Sequence, residues 1–256
     1  MENINWYGAY SLSLRETKRF LSVYHQTIFT PVVSALIFLA VFVLALGQNK
    51  APIDGIEFTD FMGYGLISMY MTQNAFANSS SSFIASKIMG YIMDILTPPL
   101  GSTEIIIAFT IGATLRGVCV GAAVAISLAP FITYTLAHPF LLIFYVIASC
   151  MLLGQMGLLS GIISNTFDKH SAVTSYVVTP LSFLSGTFYS VNSLPYIFAQ
   201  INLLNPFFYI IDGFRYCLSD KADGNIQVGI LFLISANIIM YFVLTKLIDK
   251  GWRIKS

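Results

Sequence analysis

Ser160 and Ser185 each stand directly before a glycine, as the nucleophile of an intramembrane serine protease does. Neither has a glycine two residues earlier. The three histidines, His25, His138 and His170, are far apart, each at the end of an apolar run, so nucleophile and metal chemistry are not expected. Cys119, Cys150 and Cys217 are an odd set within or beside apolar runs; they read as small packers and not as a disulfide framework. No G-x-x-x-x-G-K-[ST] occurs, so the chain cannot cradle ATP phosphates by that loop, and any nucleotide is expected in a partner. The 12 Asp and Glu lie at the ends of apolar runs, in loops or in the stretch discussed next. None is near the middle of a run, where an ion-coupled carrier needs a group to bind its driving ion.

The residues that remain are gathered between Ser185 and Tyr216, where an apolar stretch is broken by Pro195, Asn205 and Pro206 and carries Asp212, Gly213 and Arg215. Proline removes a backbone donor and clashes with the preceding turn. Irregular backbone at membrane depth needs shelter from protein or a water-lined cavity. Asp212 and Arg215, three apart on a helix, either satisfy each other or contact a substrate; mutual satisfaction is favoured.

The elements holding this stretch follow from composition. The chain has 256 residues, 56% hydrophobic and 10% charged, with mean hydropathy +0.76. Soluble domains carry about 25% charged residues, so this is an all-α polytopic membrane protein. The net charge of +1 comes with no basic stripe, and nucleic acid is excluded as a partner. A span needs about 20 apolar residues to cross roughly 30 Å of hydrocarbon. Six transmembrane helices are expected, over residues 28–47, 60–77, within 105–135, 139–163, 173–191 and 226–247. Arg116 is too costly at a span centre, so the third is expected to enter hydrocarbon at Gly117.

Counting 192–217 as a further span would separate the termini. In the six-span arrangement Arg15, Lys18, Arg19, Lys87, Arg116, Lys169, Lys246, Lys250, Arg253 and Lys255 share one side, against Lys50, Arg215 and Lys221. Both termini are therefore expected in the cytoplasm, with 192–217 a re-entrant segment on the outer side. Residues 1–27 are expected to form an interfacial helix, with Trp6, Tyr10, Leu14, Leu21 and Tyr24 on one stripe. A cytoplasmic helix is expected over 82–97, with Ala85, Ile88, Met89, Ile92 and Leu96 on one side, Lys87 and Asp94 projecting away, and Pro98 stopping it. Such a helix either docks in a partner groove or rests on the membrane. Gly117 with Gly121, and Gly157 with Gly161, permit close helix contact.

In this order the features resemble a known family. Ser185-Gly186-Thr187-Phe188-Tyr189, Leu194-Pro195, Leu204-Asn205-Pro206 and Asp212-Gly213-Phe214-Arg215-Tyr216 are similar to the permease subunit of type-2 ABC exporters. Ile95-Leu96-Thr97-Pro98, Arg116-Gly117 and Thr166-Phe167-Asp168 add to the likeness, which is greatest to bacterial inner-membrane transport permeases related to the drug, polysaccharide and nodulation-factor export subunits. The resemblance implies a single transmembrane domain over 1–256 in the bacterial inner membrane, paired as a homodimer on separate cytoplasmic ABC ATPase subunits. It implies no cofactor in this chain, ATP being used by the partner. Lys87, Ile88, Met89, Ile92, Asp94 and Pro98 would belong to the ATPase coupling site. Pro195, Asn205, Pro206, Asp212, Gly213 and Arg215 would form a re-entrant gate. Met89, Gly90, Tyr91 and Met93 stand where the family is usually charged, which implies an apolar fit to the ATPase. The alternative is a membrane scaffold that recruits a cytoplasmic partner without transport.

Overall fold

A computed structural model describes residues 5–46 and 52–251. Among them every regular element is a helix, apart from a bridge between Ile53 and Ile56 that closes a turn at Asp54 and Gly55. Both turn residues have positive φ, at 50° and 81°, the backbone that an Asp-Gly pair adopts most readily. The helices are α1 (Trp6–Ser22), α2 (Thr30–Leu46), α3 (Phe58–Ile88), α4 (Met93–Leu96), α5 (Ser102–Leu128), α6 (Pro139–Ile163), α7 (Phe167–Val173), α8 (Thr179–Leu184), α9 (Tyr196–Asn202), α10 (Pro206–Ser219) and α11 (Ile226–Asp249).

Among the described residues, four helical stretches are long and apolar enough to cross a membrane: His25–Leu44, Ser102–Leu128, Pro139–Ile163 and Ile226–Asp249. The expected second span lies inside α3, a 31-residue helix whose polar residues Ser68, Thr72, Asn74, Asn78, Ser79 and Ser82 are buried. The expected fifth, residues 173–191, is helical only to Leu184, because the chain turns at Gly186 with φ 79°.

The centre of the bundle is α3, and glycines set how close its neighbours come. A methyl on Gly117 would lie 2.7 Å from Cys150 Sγ and 3.0 Å from Ala75 Cβ; on Gly121 it would lie 3.1 Å from Met71. On Gly161 it would lie 2.8 Å from Phe83, and on Gly157 it would strike the Phe76 carbonyl. Both glycine pairs thus seat α5 and α6 against α3.

Two wide, π-helical turns, His25–Phe29 and Thr174–Val178, each end two residues before a proline, Pro31 and Pro180. The proline ring would otherwise meet the carbonyl one turn back, and widening the turn relieves that clash without ending the helix.

The interfacial-helix stripe falls on the outer face of α1, where Trp6 and Tyr10 are 63% and 65% exposed. Ala9, Leu12, Ser13, Glu16 and Phe20 form its buried face.

Candidate functional site

The two groups of residues singled out from the sequence lie in different parts of the fold. At the end of α3 the helix expected over 82–97 is split. Residues 82–88 finish α3, Gly90 takes φ 83°, and only the turn of α4 follows before Pro98. Glycine supplies the left-handed backbone that ends a helix, and the chain resumes when Ile92 N–H bonds the Ser86 carbonyl at 2.9 Å.

Lys87 does not project away. It is 9% exposed, and Nζ donates to the carbonyls of Ile162 at 2.9 Å and Ser164 at 2.7 Å, with Asn165 Oδ1 at 3.4 Å. The last carbonyls of α6 have no partner within their own helix and carry the negative end of its dipole, so a buried ammonium fits there. Ile92 turns inward with Ile95, whereas Ile88, Met89, Met93, Asp94 and Pro98 face outward. The presented surface is therefore mainly apolar.

In the broken stretch, Asn205 caps α10: its Oδ1 accepts from Phe207 N–H at 3.0 Å, while Nδ2 donates to the Leu181 carbonyl at 2.7 Å. Pro206 fills the first helical position, where its missing donor costs nothing. The Leu181 carbonyl belongs to the last turn of α8, whose carbonyls lack helical partners. Its neighbour, the Ser182 carbonyl, accepts from Ser185 Oγ at 2.6 Å and Thr187 Oγ1 at 2.7 Å. Phe42 and Phe188 stack at 5.1 Å and join α2 to this turn.

Asp212 and Arg215 are buried but form no ion pair, because each turns to backbone instead. The carboxylate of Asp212 accepts from Asp223 N–H at 2.7 Å and Gly224 N–H at 3.0 Å. Arg215 donates to the Gly186 carbonyl at 2.7 Å and lies 3.6 Å from the centre of the Phe61 ring. Asp223, which the sequence did not single out, extends the chain of bonds to Ser190 Oγ at 2.9 Å and Val191 N–H at 2.7 Å. The loops before α9 and after α10 are thus stitched to α10. Gly213 lies flat against Tyr145 of α6, leaving no room for a methyl. Pro195 is exposed at the start of α9, apart from this cluster. Beyond α10, His138 Nε2 bonds Asp220 at 2.9 Å, and this hydrogen bond holds the Asp220 carboxyl below its ordinary value of 3.8.

A third polar cluster joins α1 to α3. Glu16, fully buried on α1, accepts from Ser82 Oγ of α3 at 2.8 Å and pairs with Arg19 at 3.4 Å. Arg19 in turn donates to the Asn78 carbonyl at 2.8 Å. Its signal was the serine and asparagine content of residues 78–82, which would be costly in a membrane helix without buried partners. Among the described residues no group of His, Cys, Asp and Glu could hold a metal ion.

Residues 8–218 match the family described as ABC-2 type transporter. The chain is 31% identical, over 257 positions covering all of both chains, to proteins called inner membrane transport permease YadH in Escherichia coli K12 and Shigella flexneri. Nodulation protein J of Rhizobium leguminosarum bv. viciae is 24% identical over 207 residues, 80% of each chain. The matched region begins within α1, takes in the loop after α3 and ends at Leu218 in the last turn of α10, so it contains the Lys87 and Glu16 clusters and, of the cluster around α10, all but Asp220, Asp223 and Gly224. On that extent of match, the chain belongs to the ABC-2 type transporter family.

Proposed function

We propose that this chain is the transmembrane permease subunit of an ATP-driven exporter in the bacterial inner membrane, forming the substrate path and coupling to a separate cytoplasmic ATPase. The observation that carries the reading is the surface at the end of α3. Ile88, Met89 and Met93 are 42%, 67% and 53% exposed there, immediately beyond the clamp from Lys87 to α6. A partner pressing on these side chains would move α3 and α6 together, since the clamp leaves little slack. Exposed methionines adapt to an apolar groove, which suits an ATPase surface that receives them.

Six spans complete the reading. At 1.5 Å per residue α3 is about 46 Å long, and its low average hydropathy reflects polar side chains turned into the bundle, not a failure to cross. The helix from Phe167 to Leu184 supplies the fifth span and is followed by the re-entrant residues 192–217. Six crossings put both termini on one side, and the Lys and Arg distribution makes that side cytoplasmic. Two copies paired as a homodimer would enclose the path, with the stitched loops around α10 closing its outer end. Asp212 and Arg215 then hold the gate's shape without touching cargo.

Co-expression with the ATPase encoded beside this chain tests the coupling. Met89→Asp and Met93→Asp leave the Lys87 clamp in place, so folded yield is expected to stay and complex-dependent ATPase activity to fall. Full activity in both variants would overturn the assignment. Nucleotide-dependent cargo movement in vesicles separates a permease from a scaffold that assembles the same complex.

A further inference from the structure

Arg116, midway along α5, is a cation without an acid. Among the described residues the ion pairs are Arg19 with Glu16 and His138 with Asp220. Nη2 of Arg116 donates to Asn74 Oδ1 of α3 at 3.0 Å. Its Nε is sealed inside the protein without a partner, whereas Nη1 is neither sealed nor bonded to any described residue. A ligand can therefore meet Arg116 at the outer end of its guanidinium and not at Nε.

A second guanidinium is held beside it. One turn further along α3, Asn78 Oδ1 accepts from Arg19 Nη2 at 3.0 Å, so two asparagines on one face of α3 set the arginines next to each other. Four residues of helix rise about 6 Å. The two charges are near enough to repel. The side chain of Arg19 is 33% exposed, and its Nη1 has only a long contact, 3.5 Å to Ser81 Oγ. Glu16 is the one carboxylate bonded here among the described residues; it is fully buried and already accepts from Ser82 Oγ as well as Arg19. A methyl on Gly112, one turn before Arg116, would lie 2.6 Å from Glu16 Cβ, so α1 and α5 touch and this carboxylate lies behind the arginines at the contact. Two cations thus share one acid at a half-buried place in an apolar bundle, where an uncompensated charge is costly.

We propose that the phosphate of an anionic phospholipid completes this cluster, its oxygens accepting from Nη1 of Arg116 and Nη1 of Arg19. Two charge-assisted bonds of about 2.8 Å, joined through one phosphate, span the about 6 Å between the arginines. Guanidinium groups suit phosphate oxygens better than an ammonium does. The flanks favour a lipid over a free ion: Leu115 and Cys119 of α5, on either side of Arg116, are exposed on the surface that acyl chains reach. A zwitterionic choline lipid is disfavoured, because its own ammonium restores the positive charge that its phosphate cancels. Free phosphate shares the same chemistry and is the rival occupant. The inference needs the chain to span a bilayer and needs neither transport nor an ATPase, so it stands or falls apart from those assignments.

The full chain in phosphatidylcholine nanodiscs doped with phosphatidylglycerol provides the test. After transfer to a neutral detergent, native mass spectrometry should find phosphatidylglycerol retained about ten-fold in preference to phosphatidylcholine, the factor given by one charge-assisted hydrogen bond at the low end of its strength. Arg116→Met keeps the apolar stem and should abolish the preference. Lys18→Gln, which removes an exposed cation of α1 outside the cluster, should leave it intact. Equal loss in both variants means general attraction to a basic surface and overturns the site. If Arg116→Met folds poorly, the parent chain alone carries the test through a phosphatidylglycerol with a diazirine on its headgroup glycerol, which should label residues 16–23 and 112–119. Labelling confined to other segments, or equal retention of phosphatidylcholine, overturns the proposal. Complete loss of the headgroup label in millimolar inorganic phosphate overturns it in favour of a free anion.

Discussion

Lys87→Met keeps the aliphatic stem and removes the ammonium that ties α3 to α6. Two carbonyl acceptors lie at 2.9 and 2.7 Å, and Lys87 is 9% exposed. Hydrogen bonds from a charged donor are worth about 1.5–3 kcal/mol each, and a cation at a helix C-terminus adds roughly 0.3–1 kcal/mol. Two terms oppose this. Removing the ammonium relieves its desolvation, and the clamp sits at the end of the bundle, where water reaches the vacated carbonyls. A net loss of about 2–3 kcal/mol remains. At about 2–4 °C per kcal/mol for a chain of this size, the midpoint of thermal unfolding falls by about 4–12 °C. The assay is unfolding of the purified chain in detergent, followed by the loss of monodisperse protein. A variant melting within about 1 °C of the parent would refute the clamp as a net stabiliser of the fold.

Gly213→Ala drives a methyl into Tyr145 and is expected to cost about 1–3 kcal/mol; Tyr145→Val in the same chain should restore part of the folded yield, and strictly additive losses would contradict the contact. Glu16→Ala leaves Ser82 and Arg19 without their acceptor and should lower stability by about 2 kcal/mol. Adding Ser82→Ala should then cost little more, as thermal unfolding of the double variant would report. Asp220 has its folded value depressed by His138, so the stabilisation is complete above the ordinary value of 3.8 and is lost as pH falls through the lower folded value. His138→Phe keeps the ring stack on Tyr216, 4.8 Å between centres, and should flatten that acid loss; an unchanged pH profile of unfolding would exclude the bond.

What could be read in advance depended on how local its cause was. The expected 139–163 coincides with α6, because an apolar run begun by Pro139 carries its own boundary signals. Gly117, Gly121, Gly157 and Gly161 announced close packing through spacing alone. The burial of Lys87 is not legible locally, because its partners, the carbonyls of Ile162 and Ser164, are distant in sequence and reach it only once α6 lies beside α3. Asp212 and Arg215 have the spacing of a pair, yet backbone groups at Asp223, Gly224 and Gly186 compete for them and win. The Gly90 break was within reach of the sequence, since a glycine between apolar residues can end a helix as readily as Pro98.

The buried polar face of α3 also constrains how the protein is made. Asn78, Ser79 and Ser82 find partners on α1 and α5, in Arg19, the Phe109 carbonyl and Glu16, and Gln73 meets Ser182 of α8. On the ribosome α1 precedes α3 but α5 and α8 follow it, so hydrocarbon would at first leave Ser79 and Gln73 unsatisfied. A cysteine at Ala75, which is fully buried in the finished fold, should therefore react with a water-soluble maleimide in chains arrested before α6 emerges and resist it afterwards; early protection would exclude this order. The central helix would then wait in an aqueous or translocon-sheltered setting and enter the bilayer together with the helices that cover it, making insertion and tertiary packing one event.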